Sequence, residues 1–222
     1  MALDRIEEDS YAAALLAAAE AQSKGQRTRA AILSAACEAL EGTTPDGLRV
    51  AELCRAAGIS NGTFYLYFED RDALLSALLA GFIAYLQARL RAGADSGGGG
   101  GGDPLRAATA RYVRLFRLNR GLMRCLVHHH DQLPQARAAF HRLNHDWLTR
   151  VAGAAALQRE KAGADPLPQD EALRRAYALG GMVDQYLSGL WLSRDPSLIA
   201  VSGDEEAVIG TLTHIWKKGM EG

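Results

Sequence analysis

Residues 50–68, VAELCRAAGISNGTFYLYF, decide the fold. Val50, Leu53, Cys54 and Ala57 recur at i, i+3, i+4 and i+7, which sets them on one apolar face of a helix. Gly58 supplies the left-handed residue that ends such a helix, and Ile59 turns back toward the core. Ser60 then caps a second helix whose inner face carries Phe64 and Phe68, four residues apart. The positions left over are Asn61, Gly62, Thr63, Tyr65 and Tyr67: small at the tip, able to hydrogen-bond, with two phenols. A helix that enters the DNA major groove needs that mixture at its N-terminus, where side chains reach base edges and backbone N–H groups meet phosphate. The stretch reads as a helix-turn-helix.

A tight pair of helices inside any bundle can show the same periodicity. Two features favour DNA. The second helix has almost no charge and only about two turns, too little surface for an ordinary packing helix. It is also followed at once by Glu69-Asp70-Arg71-Asp72, a capped restart with one isolated cation.

The run from Gln26 to Leu75 resembles the DNA-binding domain of the TetR (tetracycline-repressor-like) transcriptional regulators. The family pattern TRxxILxAAxxLF is matched by Thr28, Arg29, Ile32, Leu33, Ala35, Ala36 and Leu40. The second pattern, IAxxAGVSxGTxYxHFxxKxxL, is matched by Leu53, Ala57, Gly58, Ile59, Ser60, Gly62, Thr63, Tyr65, Phe68, Arg71 and Leu74. Four departures stand out. Cys54 replaces a usual Ala, Arg71 a usual Lys, and Tyr67 a usual His, while Leu48-Arg49 stands where a Ser or Thr opens the second helix. The resemblance implies a DNA-binding set of Arg29, Arg49, Ser60, Asn61, Gly62, Thr63, Tyr65, Tyr67 and Arg71.

Formal net charge is −1, which gives no support for indiscriminate nucleic-acid binding. The cations are placed, however: Lys24, Arg27 and Arg29 precede or open the first core helix, Arg49 opens the second and Arg71 opens the fourth. The N-terminus MALDRIEEDS lacks the basic and apolar regions of a signal peptide, and no membrane span is expected. Three scattered cysteines, Cys37, Cys54 and Cys125, suit reduced thiols and a cytoplasmic location.

Along the chain we expect an N-terminal arm (1–25), the helix-turn-helix domain (26–70) and an effector-binding and dimerisation domain (71–222). The arm, SYAAALLAAAEAQS, has strong helix propensity; an ordered helix and a frayed tail both fit. A fourth helix is expected over 71–92, then a glycine-rich loop over 93–103 with six consecutive glycines, either a hinge or a loose loop. Five further helices follow at 104–118, 120–130, 134–162, 168–193 and 204–219, with breaks at Asn119, Leu133-Pro134, Gly163-Ala164-Asp165-Pro166 and Asp195-Pro196. No strand signal appears. The expected class is all-α, with about nine core helices.

The last two long helices are apolar on more than one side, so Leu179, Val183, Tyr186, Leu190, Val208, Leu212, Ile215 and Trp216 form a candidate dimer interface. A monomer could bury them within itself. The resemblance implies pairing with a twofold mate, and a short recognition helix reads few bases unless a second copy binds beside it. Candidate residues for a small effector are Phe82, Tyr85, Leu86, Tyr112, Phe116, Met123, Phe140, Asn144, Trp147, Tyr177 and Met182, aromatic groups with a few polar handles. Core packing would use the same residues. No catalytic constellation or cofactor motif emerges, and an enzyme is not expected. One cluster offers a rival: His128, His129, His130, Asp131, His141 and His145, with His141 and His145 at i and i+4 on one helix face, a spacing able to chelate a divalent metal. The sequence therefore implies a DNA-binding regulator, most simply a repressor that binds a near-palindrome as a homodimer and is released by an apolar or amphipathic effector. A metal-responsive regulator and a helical module that does not bind DNA are the alternatives.

Overall fold

The computed structural model describes residues 9–96, 103–128, 134–161, 163, 165 and 167–221. Among these residues are eleven α-helices and no strand. They are α1 (Tyr11–Ala19), α2 (Lys24–Gly42), α3 (Val50–Ala56), α4 (Asn61–Tyr65), α5 (Arg71–Ser96), α6 (Pro104–Leu118), α7 (Arg120–Val127), α8 (Pro134–Lys161), α9 (Gln169–Trp191), α10 (Pro196–Ser202) and α11 (Glu205–Glu221). The all-α expectation holds. Helix α10 was not foreseen; it occupies the expected break at Asp195-Pro196 because Asp195 accepts from the Ser197 and Leu198 N–H groups and proline sits at its first position. Helix α5 runs through the expected start of the loop at 93, and the six glycines at 97–102 lie outside the described residues.

Two compact units emerge, Met1–Arg89 with Arg114–Ala139 and Leu90–Val113 with Phe140–Gly222. The division falls inside α5, α6 and α8, so it differs from a cut at residue 71.

In the first unit α2 packs on α1, α3 and α7, and α3 packs on α4. Ile32, Ala36 and Leu40 of α2, Leu53 of α3 and Phe64 of α4 are sealed from solvent, as the apolar spacing requires. Arg71–Ala92 is long and apolar enough to cross a membrane by length and composition, contrary to expectation. Its apolarity has a local explanation, because Leu74, Leu75, Leu78, Leu79, Phe82 and Leu86 are all core residues.

The arm is an ordered helix. Its tether is Asn119, whose Oδ1 accepts the Tyr11 N–H at 2.8 Å while Nδ2 donates to the Asp9 carbonyl at 2.9 Å. The Tyr11 ring lies against Phe82 and Tyr85, with centroids 5.5 and 5.1 Å away. Beside it, Glu41 joins α2 to α7, accepting from the Gly121 N–H at 2.9 Å and from Arg120 Nε at 3.1 Å. The helices meet so closely that a Cβ on Gly121 would lie 2.4 Å from the Leu40 carbonyl carbon.

In the second unit α9 packs on α11. Six of the eight residues expected at a subunit interface, Leu179, Val183, Leu190, Val208, Leu212 and Trp216, are buried within this one chain. Tyr186 is half-buried, its hydroxyl 2.8 Å from Ser202 Oγ, and only Ile215 is exposed. The physical reason is that the two helices bury these faces inside their own unit; a Cβ on Gly219 would already lie 2.8 Å from Leu179. The sides left open carry Ala178, Gly181 and Gln185 on α9 and Thr211, His214 and Ile215 on α11.

Candidate functional site

The turn between α3 and α4 has the geometry its residues dictate. Gly58 adopts φ 66°, the Gly58 N–H donates to the Arg55 carbonyl at 3.3 Å, and the Ile59 N–H donates to the Cys54 carbonyl at 2.9 Å. That is a Schellman end, which satisfies carbonyls the helix leaves over. Ser60 caps α4: its Oγ accepts the Thr63 N–H at 3.1 Å and lies 2.9 Å from Thr63 Oγ1. Asp70 repeats the device for α5, accepting the Ala73 N–H at 2.7 Å.

Phe64 and Phe68 anchor the recognition helix, buried with ring centroids 5.8 Å apart. The opposite surface is open. Asn61, Gly62 and Tyr65 are exposed, Thr63 is half-buried, and Tyr65 stands edge-on to Phe64 at 5.3 Å. Tyr67 is half-buried and lies over the start of α2, its hydroxyl 3.6 Å from where a Gly25 Cβ would be. A Cβ on Gly62 would meet only Ser60 Oγ, at 3.8 Å, so nothing inside the protein demands glycine there. Leu66, which the sequence reading passed over, follows on the same open side with 82% of its surface exposed. An apolar side chain held out beside polar ones fits contact with a thymine methyl group.

The expected phosphate-binding cations divide into two kinds. Arg49 is open, held among the described residues only by a 3.9 Å pair with Glu52. Arg29 is exposed, with its guanidinium carbon 5.3 Å from the Phe68 ring centre, a cation–π placement that fixes its direction. Arg71 is committed elsewhere. Its fork donates to the Asp46 carbonyl and to Asp72 Oδ1, each at 3.1 Å, so it pins the Pro45–Gly47 turn to the start of α5.

The expected effector residues fall in both units. Phe82, Leu86, Phe116 and Met123 are sealed in the first, where Tyr85 packs on Tyr11. In the second, Tyr112 donates to Asp184 Oδ1 at 2.5 Å, and Tyr177 Oη lies 2.8 Å from His145 Nδ1. Burial pushes the Asp184 carboxyl up to about 6, against the pull of the Tyr112 hydrogen bond, and holds the Tyr112 phenol well above its usual range. Phe140, Asn144 and Met182 are half-buried. Trp147 lines a cavity of about 660 Å³ walled by α6, α8 and α11. Sequence periodicity gave no signal for that cavity, since its walls are far apart along the chain.

For the histidine cluster, His129, His130 and Asp131 lie outside the described residues, and His141 and His145 are exposed. Among the described residues no three His, Cys, Asp or Glu side chains converge as a metal site would need. Cys37, Cys54 and Cys125 are free, buried thiols; burial pushes Cys37 and Cys125 up to about 12 and raises Cys54 as well.

Residues 32–78 match the family described as bacterial regulatory proteins, tetR family. The chain is 26% identical over 203 residues to the HTH-type transcriptional regulator EthR of Mycolicibacterium smegmatis, covering 91% of this chain and 90% of that protein. Its fold is similar to a TetR-family transcriptional regulator from Bordetella parapertussis, with TM-score 0.63, 16% identity, and 85% and 93% of the two chains covered. It is also similar to FadR from Bacillus subtilis, solved in complex with stearoyl-CoA, with TM-score 0.59, 16% identity, and 85% and 97% covered. The capped recognition helix, its open polar face and these likenesses agree on one point: residues 32–78 carry the DNA-binding domain of the bacterial regulatory proteins of the tetR family, within a chain similar to such regulators over most of its length.

Proposed function

We propose that this protein represses transcription by binding a near-palindromic operator as a homodimer, and that a small apolar or amphipathic effector releases it. The observation that carries the DNA reading is the recognition helix, with Phe64 and Phe68 locked inside, Asn61, Gly62 and Tyr65 exposed and Thr63 half-buried beside them. We read residues 1–25 as an arm, 26–70 as the DNA-binding domain and 71–222 as the effector-binding and dimerisation domain.

A helix of five residues reads few bases, so a second copy about 34–36 Å away, one turn of DNA, supplies the missing specificity. The open faces of α9 and α11 suit the pairing, because Ala178 and Gly181 let a partner helix approach closely. The residues buried between α9 and α11 would support that surface from behind. A cavity in the second unit gives an effector a place to bind, and FadR, a protein of the same fold, was solved with an amphipathic ligand.

Fluorescence anisotropy with DNA from upstream of the chain's own gene tests the reading. Affinity should fall steeply with salt, with a log–log slope of roughly −5 to −7 if about six to eight phosphates are neutralised per dimer. Arg49→Ala should weaken all sequences alike, whereas Thr63→Ala or Tyr65→Ala should change sequence preference at a cost of about 1–3 kcal/mol. A slope near zero, or identical behaviour of the two kinds of variant, would refute the assignment.

A further inference from the structure

The cavity in the second unit has a chemical preference. On α8, Trp147, Arg150, Val151, Ala154 and Ala155 share one helical face and line it. Trp216 and Met220 of α11 and Leu105 of α6 line it too, and the alanines keep it open. Its volume, about 660 Å³, lies within the range of about 300–1,000 Å³ typical of small-molecule sites. The indole N–H groups of Trp147 and Trp216 have no acceptor among the described residues.

Three cations, Arg150, Arg159 and Lys217, border this apolar space against a single carboxylate, Glu221. Most of these charges are already engaged. Lys217 Nζ meets Asp103 Oδ2 at 2.6 Å, the Arg159 fork donates to the Asp165 carbonyl at 3.1 and 3.0 Å, and Glu221 accepts from Lys218 at 2.7 Å. Arg150 has no ion-pair or hydrogen-bond partner among the described residues. A guanidinium beside an apolar cavity, with no carboxylate of its own, is matched by an acidic head on an apolar body.

We propose that this cavity is the effector site and that it selects an amphipathic anion, its apolar body against Trp147, Val151 and Trp216 and its acidic head on Arg150. The proposal rests on the reading of the second unit as effector-binding. It assigns Arg150 as the residue that sets charge preference, with the two indole N–H groups available to a second polar atom of the ligand.

Three probes of equal chain length decide it: dodecanoate, dodecanol and dodecyltrimethylammonium, each below its micelle-forming concentration. They are titrated into the full chain without DNA and followed by calorimetry and tryptophan fluorescence. Dodecanoate should bind at least about tenfold more tightly than the other two. Arg150→Gln should weaken dodecanoate about tenfold and leave dodecanol unchanged. Ala154→Trp should fill the cavity and abolish binding while the unfolding transition of the variant stays cooperative. Equal binding of all three probes, or dodecanoate binding indifferent to Arg150→Gln, overturns the proposal. DNA release is measured separately: dodecanoate bound through Arg150 on a protein that keeps its DNA upholds the site and refutes the effector reading.

Discussion

Replacing Asp184 with asparagine should stabilise the protein at neutral pH and leave its stability nearly unchanged in mild acid. The carboxyl sits in the second unit with the Tyr112 hydroxyl donating to Oδ1 at 2.5 Å. Burial is the largest influence on it and raises its pKa from 3.8 to about 6; the Tyr112 hydrogen bond opposes that rise. A folded-state pKa above the unfolded value means the native protein binds a proton that the unfolded chain does not, between about pH 4 and pH 6. Stability therefore increases as pH falls through that window, and at pH 7.5 the native state carries the cost of an ionised, poorly hydrated carboxylate. At 1.36 kcal/mol per pH unit, the rise corresponds to about 3 kcal/mol. Asp184 keeps some accessible area, so we discount for residual solvent screening. The new amide N–H₂ also needs an acceptor, at a cost of about 1 kcal/mol. Asp184→Asn should thus gain about 1–2 kcal/mol at pH 7.5, seen as a rise of about 2–6 °C in Tm. The assay is urea and thermal unfolding by circular dichroism at pH 7.5 and pH 4.5, at one fixed protein concentration so that association contributes equally. A gain of the same size at both pH values, or a loss at pH 7.5, would show that Asp184 is not an uncompensated charge.

Gly121→Ala should be among the most damaging single-methyl additions in the first unit, because the added carbon would lie 2.4–2.7 Å from the backbone of Leu40 and Glu41. Forcing α7 away from α2 should cost about 3 kcal/mol or more, and a drop of under 1 kcal/mol in urea unfolding would refute that packing. Gly81→Ala is a milder wedge: the new methyl would lie 2.2 Å from the Tyr11 hydroxyl, a side-chain end able to swing away. It should loosen α1 alone, giving faster amide exchange over residues 11–19 with little change in global stability; unchanged exchange there would show that the arm is held without Tyr11 in that position.

The turn that decides the fold was legible because its signals are local. A glycine in the left-handed region, a serine cap and two phenylalanines four apart each act within a few residues, and all three are where they were expected. The Asp195 cap and Pro196 were equally local, yet the seven residues of α10 gave too short a periodic run to register. Periodicity on α9 and α11 correctly marked Leu179, Val183, Leu212 and Trp216 as buried, but the pattern records burial without naming the surface that does the burying. The fate of Arg71 was hidden for a related reason, since its partner Asp46 lies 25 residues earlier in the chain. The cavity was the least legible, because it is a space left between helices that begin at 104, 134 and 205. Arg150 carries no local signal, because only the packing of distant helices sets it and its alanine neighbours beside that space.

The three buried thiols make this chain convenient for labelling. Thiolate is the species that alkylating dyes attack, and Cys37, Cys54 and Cys125 are sealed in helix packing with their ionisation suppressed. A fourth cysteine introduced at an exposed site such as Ala178 would meet maleimide in its reactive form while the native three stayed silent. A spin label or fluorophore could then be attached there without first removing any native cysteine. On α9 it would report directly whether two copies meet along that face, and at what separation with and without DNA.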